Sequence, residues 1–187
     1  MDGLPCRMEV ESLDLGADAR AVGLELLDPQ TREPIEGIDA ARIWSGTLAA
    51  LAGEEVLTLD FFAHLERVRD FCRQRVIAFR EPNPRVLLIA QPSATDLEAL
   101  CERFANETFG ARAGDAAVSG DAAVEAVLAQ RGVDAYHGEF ARYLFCAVCD
   151  FQNGFLTVLS ERLWASEVIR RTRAVLGGLQ VEVDRPR

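Results

Sequence analysis

The sequence predicts an α+β fold in which helices pack on a mostly antiparallel sheet. Three observations support this class: alternating apolar residues near the N-terminus, helical apolar spacing from about residue 58, and a series of strand and helix patterns from residue 86 onward. The chain has 187 residues, of which 49% are hydrophobic, and this is enough for one sizeable core. We therefore expect a single domain over 1–187, with 1–80 and 81–187 as its natural subdivision.

The first fifty residues predict a β-hairpin followed by a helix. Apolar residues alternate over 8–15 and again over 22–26, which is typical of two strands joined across the sequence GADAR. The sequence DPQTREP then predicts a turn. We expect the helix over 39–52, with Asp39 as its N-cap and Gly53 ending it.

A second, longer helix is predicted from residue 58 or 60 to residue 79, because its apolar residues recur at spacings of three and four. On this helix Asp60 and His64 would lie one turn apart, close enough for the carboxylate to orient the imidazole as a general base. The alternative is that both side chains lie on a solvated helix face, and we favour it because the sequence places no nucleophile beside them.

From residue 86 the pattern is strand, helix, extra helix, strand, strand, helix and strand. Without the extra helix this is the split βαβ, or ferredoxin-like, order of an antiparallel sheet covered by two helices on one face. The expected elements are a strand at 86–90, a helix from Thr95 to 109, a surface loop at 110–121, a short helix to 132, strands at 143–151 and 155–159 around Asn153 and Gly154, a helix capped by Ser160, and a last strand at 179–183.

The formal net charge of −10 is concentrated in the N-terminal third. Residues 1–60 hold thirteen acidic residues against four arginines, whereas residues 61–187 hold seventeen against sixteen. Acidic side chains repel phosphates, so we expect neither nucleic acid nor a membrane as partner. A basic protein is the partner that this charge favours.

Composition also restricts the chemistry. All twenty basic residues are arginine, so the chain has no lysine for a Schiff base or for a P-loop. Five cysteines without the spacing of a disulfide framework, and an N-terminus without a signal-peptide pattern, indicate the cytoplasm. Heavy use of Ala, Gly, Arg and Val suggests a GC-rich bacterial genome.

One stretch contains the residue types of a zinc site. His137 and Glu139 form a His-x-Glu sequence, and Cys146 and Cys149 form a Cys-x-x-Cys sequence, which are the two halves of the zinc deaminase signature. Only six residues separate the halves, too few for the helix and strand that the signature needs between them. The cysteines lie in the sequence RYLFCAVCDF, which predicts a strand, and residues i and i+3 of a strand point to opposite faces. We therefore expect neither a metal nor another cofactor.

Two further groups of side chains are weak candidates. His137 and Glu139 precede the predicted hairpin, where a loop beside a sheet often carries function. Arginines recur along the last predicted helix and the long one, and would form basic surfaces for an anionic ligand or an acidic partner. Ion pairing with neighbouring acids is the alternative for these arginines, which are Arg162, Arg170 and Arg173, with Arg69 and Arg73.

The function expected from these patterns is that of a non-enzymatic bacterial regulatory or protein-interaction protein, most simply a homodimer, whose acidic N-terminal third contacts another protein. The alternative is a small-molecule-binding protein or a metal-dependent enzyme. Its site would lie between the hairpin at 143–159 and the loop at 110–121, and it would use His137, Glu139 and one cysteine.

Overall fold

A computed structural model of the chain describes residues 4–11, 20–114, 143–160 and 162–184. These residues form an α+β fold with one mostly antiparallel sheet of nine strands and four α-helices. The strands are β1 (Cys6–Glu11), β2 (Arg20–Leu26), β3 (Val56–Phe61), β4 (Arg80–Asn83), β5 (Val86–Ala90), β6 (Phe109–Gly114), β7 (Phe145–Asp150), β8 (Phe155–Ser160) and β9 (Val181–Asp184). The helices are α1 (Gly37–Ala52), α2 (Leu65–Arg75), α3 (Ala94–Arg103) and α4 (Ala165–Leu176).

The strands follow the order β4-β5-β3-β6-β7-β8-β2-β1-β9 across the sheet. All neighbours are antiparallel except β1 and β9, which are parallel. Strands from before and after residue 81 are therefore mixed within one sheet. β4 and β9 are its two edges among the described strands.

The main core lies between the helices and one face of the sheet. All four helices contribute to a single buried apolar cluster, together with alternate residues of the central strands such as Leu59, Ala111 and Ala147. Trp44 of α1 is fully buried there, and its indole Nε1–H donates to the Gly154 carbonyl over 3.0 Å, which ties α1 to the β7–β8 turn. The intervening strand residues point to the second face.

Several predicted elements are confirmed. β1 and β2 form the predicted antiparallel hairpin, and β7 and β8 form the second one around Asn153 and Gly154. β5 and the end of α1 lie at the predicted residues. Gly177 ends α4 in the left-handed conformation with φ 61°, and β9 follows as expected.

The predicted helix over 58–79 is wrong in its first half. Residues Val56–Phe61 form the buried strand β3, and the helix is confined to Leu65–Arg75. Leu57, Leu59 and Phe61 alternate on the core face of β3. The sequence had predicted one long helix because Phe61, the last residue of β3, lies at helical spacing from the apolar residues of α2.

The predicted helix to 109 and the loop at 110–121 also need correction. α3 ends at Arg103, and Phe109–Gly114 is the fully buried central strand β6. Small residues build this strand, so it lacks the large alternating side chains that mark a strand in a sequence. The rest of the predicted loop, 115–121, and the short helix to 132 lie outside the described residues.

The ferredoxin-like arrangement of 86–184 is not confirmed. In the observed sheet β5 pairs with β3 and β4, and β9 pairs with β1, so the strands of this half do not form a four-stranded sheet of their own. Three strands, β3, β4 and β6, were missing from the predicted elements. Once they are included, the split βαβ order no longer describes the chain.

None of the three N-caps predicted from the sequence is confirmed. α1 begins at Gly37, so Asp39 lies in its first turn. Ser93, rather than Thr95, caps α3 by accepting a hydrogen bond from the Asp96 amide at 3.1 Å. Ser160 accepts from the amides of the turn before α4, which begins at Ala165.

Candidate functional site

The two cysteines of the Cys-x-x-Cys sequence lie on the extended strand β7, as predicted. Cys149 belongs to the helix-covered core, whereas Cys146 lies on the second face, opposite Arg112 of β6. Alternation along the strand points their sulfur atoms to opposite faces of the sheet. Burial raises the pKa of both thiols well above the ordinary 9.0, so both remain protonated at neutral pH.

Asp60 and His64 do not share a helix, so their pairing as a general base is wrong, and the favoured placement of Asp60 on a solvated helix face is wrong as well. Asp60 is buried on β3, with 1% of its surface exposed. His64 is exposed and precedes α2 in a left-handed conformation with φ 51°. The two residues therefore belong to different elements rather than to consecutive turns of one helix.

Asp60 instead joins a buried group on the second face, which we call the β3–β6 polar cluster: Thr58 and Asp60 of β3, Arg112 of β6, Tyr143, and Cys146 of β7. The Arg112 Nε atom lies 3.2 Å from the Asp60 Oδ2 atom, and both side chains are almost completely buried. Arg112 Nη1–H donates to the Tyr143 hydroxyl over 2.7 Å. A cation and an anion thus lie together in the interior of the sheet.

The sheet register builds this cluster. Thr58, Arg112 and Cys146 occupy one row across three neighbouring strands, because Thr58 pairs with Arg112 and Arg112 pairs with Cys146. Asp60 lies two residue pairs further along, opposite Gly110, where an added Cβ would be 3.3 Å from the Asp60 Cβ. Glycine at 110 therefore leaves room for the Asp60 side chain.

The electrostatics of the cluster are those of a desolvated ion pair. Burial raises the pKa of Tyr143 to about 12, and the Arg112 guanidinium opposes this shift. The guanidinium carbon also lies 5.1 Å from the centre of the Tyr143 ring, which adds a cation–π contact. The Thr58 hydroxyl is buried with no hydrogen-bond partner in the described part of the chain. Because its pKa is raised, the phenol of Tyr143 remains protonated at neutral pH.

The five arginines predicted from the sequence as candidate sites lie away from this cluster. His137 and Glu139 are outside the described residues. Arg69 bonds to Glu81 on β4, Arg73 lies 3.7 Å from Asp70, and Arg170 bonds to Glu167. The remaining two of the five arginines are exposed: Arg162 before α4 and Arg173 within it.

The arginines of α4 contribute to an open cleft of about 510 Å³ between the end of α1 and α4. Arg170 and Arg171 both bond to Glu167 and lower the pKa of that carboxyl to about 2. Arg171 also donates to the Leu51 carbonyl over 2.5 Å. Arg171 thus connects α4 to the end of α1, and the acids Glu54 and Glu55 line the same cleft.

Among residues 4–11, 20–114, 143–160 and 162–184, no three His, Cys, Asp or Glu side chains are grouped so that they could hold a metal ion. No helix in these ranges has both the length and the apolar character needed to cross a bilayer.

Sequence patterns did not reveal the β3–β6 polar cluster. Asp60 was assigned to a helix and Arg112 to a loop. A usable signal was the sequence GARAG, in which a single arginine lies between two alanines and the alanines are flanked by glycines. Comparison of the chain with protein-family models, with curated proteins and with solved structures finds no match.

Proposed function

We propose that this protein is a regulatory or protein-interaction protein whose acidic N-terminal third binds a basic protein partner. The observation that carries the proposal is the polarised charge of the sheet. β1, β2 and β9 adjoin one another at one end and carry five acidic residues against two arginines. We call these three strands the acidic end; its acidic residues are Glu9, Glu11, Glu25, Glu182 and Asp184.

The opposite end of the sheet has the opposite charge. Residues 65–86, which contain α2 and β4, hold six arginines against three acids. Charge complementarity steers association and selects between partners. A basic protein would approach at the acidic end and be repelled at the other, so the fold supports an oriented contact. The sequence-based prediction of a homodimer remains a proposal beside this one.

The test uses the chain as bait in a bacterial lysate and then reconstitutes each captured complex from purified components. We expect a partner with a basic contact surface, whose affinity falls as salt rises from low to physiological concentration, because surface ion pairs are screened. Replacing the five acids of the acidic end with their amides should weaken the complex. The matched control replaces Glu54, Glu66, Asp70, Glu98 and Glu102 in the same way and should leave it unchanged.

Either of two results would contradict the proposal. The first is a monomer by light scattering with no protein captured above background. The second is a reconstituted complex that responds equally to both sets of substitutions.

The β3–β6 polar cluster favours a second candidate function, binding of a small polar molecule or metal-dependent catalysis beside the β7–β8 hairpin. Cys146 and Tyr143 lie in that region, and the predicted His137 and Glu139 precede it in the chain. Metal analysis of protein purified without an affinity tag tests this candidate. About one equivalent of zinc or iron, lost on His137→Ala, would establish it in place of the interaction role.

A further inference from the structure

We propose that the basic partner docks as an added β-strand along the outer side of β9, with basic and apolar residues at alternate positions. This inference rests on the proposed function and specifies how the partner is recognised. β9 is the last strand of the sheet and pairs with β1 alone among the described strands. Strand addition to such an edge provides affinity through main-chain hydrogen bonds.

The hydrogen bonding of β9 identifies the backbone groups that face outward. The Cys6 amide donates to the Gln180 carbonyl over 3.1 Å, so Gln180 directs its backbone groups toward β1. Because these groups alternate along a strand, Glu182 also faces β1, whereas Val181 and Val183 direct their N–H and C=O groups away from it. These are the groups that an added strand would pair with.

The side-chain pattern of β9 specifies the chemistry of the partner. Val181 packs against the helix-covered core, so Glu182 lies on the second face, where its side chain is 57% exposed and pairs with Arg32. A neighbouring strand places its own side chains on the same two faces. Apolar residues of the partner would extend the core beside Val181, and basic residues would lie beside Glu182.

The opposite edge of the sheet is unsuited to this role. β4 contains Pro82, which has no N–H to donate, and its register with β5 shifts between Arg80 and Asn83. Proline and irregular pairing protect an edge from strand addition. β9 has neither feature, so the two edges differ in backbone as well as in charge.

A second copy of the chain is the less suitable occupant of β9. Antiparallel pairing of β9 with itself would bring acidic positions 182 and 184 of both copies side by side, and like charges in neighbouring positions destabilise a sheet. Pairing of β9 with β4 of another copy would meet Pro82 and would also leave further edges free, giving an open chain of molecules. A separate basic segment avoids both difficulties.

The experiment measures binding of a labelled peptide of about ten residues, with arginine and valine alternating, to the full chain by fluorescence anisotropy. A second peptide of the same sequence carries N-methyl groups on every second amide, which removes main-chain donors and keeps the charge. We expect methylation to weaken binding roughly tenfold, as expected for the loss of about two hydrogen bonds.

Substitutions in the protein test the same contacts from the side of β9. Val183→Pro removes an outward N–H and should weaken binding of the unmethylated peptide by a similar factor, with thermal unfolding close to that of the wild type. Glu182→Gln should weaken binding about twofold to fivefold. Glu98→Gln makes the same change of charge on the exposed side of α3, and it should have no effect.

The results distinguish a failure of strand addition from a failure of the proposed function. Equal binding of both peptides would overturn strand addition and leave an acidic contact in place. Binding of neither peptide, together with no salt-dependent complex, would overturn the proposed function as well. A dimer that Val183→Pro converts to a monomer would show that a second copy occupies β9, which would also overturn the inference. The peptide comparison stands even where Val183→Pro does not fold.

Discussion

At the scale of single residues, the most consequential interaction is the buried ion pair between Asp60 and Arg112. Both side chains have lost almost all contact with water, so each charge is stabilised by the other, and Arg112 also donates a hydrogen bond to the Tyr143 hydroxyl. Breaking such a pair leaves one charge uncompensated in the interior, which is far more costly than replacing both partners with apolar groups.

We therefore predict that Asp60→Leu and Arg112→Met each lower the free energy of unfolding by about 3–5 kcal/mol, whereas the double variant recovers most of the loss. Urea unfolding of the four proteins in a double-mutant cycle checks this expectation. Additive losses in the double variant would show that the two charges do not stabilise each other.

At the scale of elements, the predictions from sequence succeed where local chemistry is explicit. Asn153 and Gly154 mark the β7–β8 hairpin, and the apolar run at 86–90 is a strand because turn residues bound it. The predictions from sequence fail where tertiary contacts, rather than local sequence, determine whether a segment is a strand or a helix. The alternating residues of β3 continue into the helical spacing of α2, and β6 consists of small residues around Arg112. The same two failures concealed the β3–β6 polar cluster, since each half of its ion pair lies on one of the missed strands.

The β7–β8 turn gives a prediction at this scale. Gly154 has φ 79°, and a Cβ there would lie 2.5 Å from the Ile35 carbonyl oxygen. Gly154→Ala should lower the free energy of unfolding by more than the roughly 1–3 kcal/mol cost of the left-handed conformation alone. The control is Gly177→Ala. Gly177 has φ 61°, and a Cβ added there would have no neighbour within 4 Å, so this substitution should cost only the free energy of the left-handed conformation. Equal losses in the two variants by urea unfolding would contradict the steric explanation.

At the scale of the whole molecule, the described thiols share one property: all five are buried. Burial raises the pKa of Cys6 to about 12 and that of Cys72 to about 11, from an ordinary 9.0. The chain contains no lysine, so few other groups titrate in this range. The loss of stability at alkaline pH therefore measures how well the folded core keeps these thiols from water.

We predict that stability is constant with respect to these thiols below pH 9 and falls between about pH 9 and 12. Over that interval the unfolded chain loses thiol protons that the folded chain keeps, so the unfolded state binds fewer protons and the free energy of unfolding falls as pH rises. Urea midpoints at pH 8 and pH 10.5 measure the loss, and Cys6→Ala should reduce it. A midpoint that does not change with pH would show that the thiols are accessible to solvent.

The polarised sheet and its two unlike edges lead to one central claim, that β9 receives a basic strand. Amide hydrogen exchange of the full chain, with and without the arginine–valine peptide, tests this most directly. We predict that the amides of Val181 and Val183 become protected when the peptide binds and that exchange in β4 is unchanged. Protection confined to any other element, with β9 exchanging at its original rate in the saturated complex, would contradict the account.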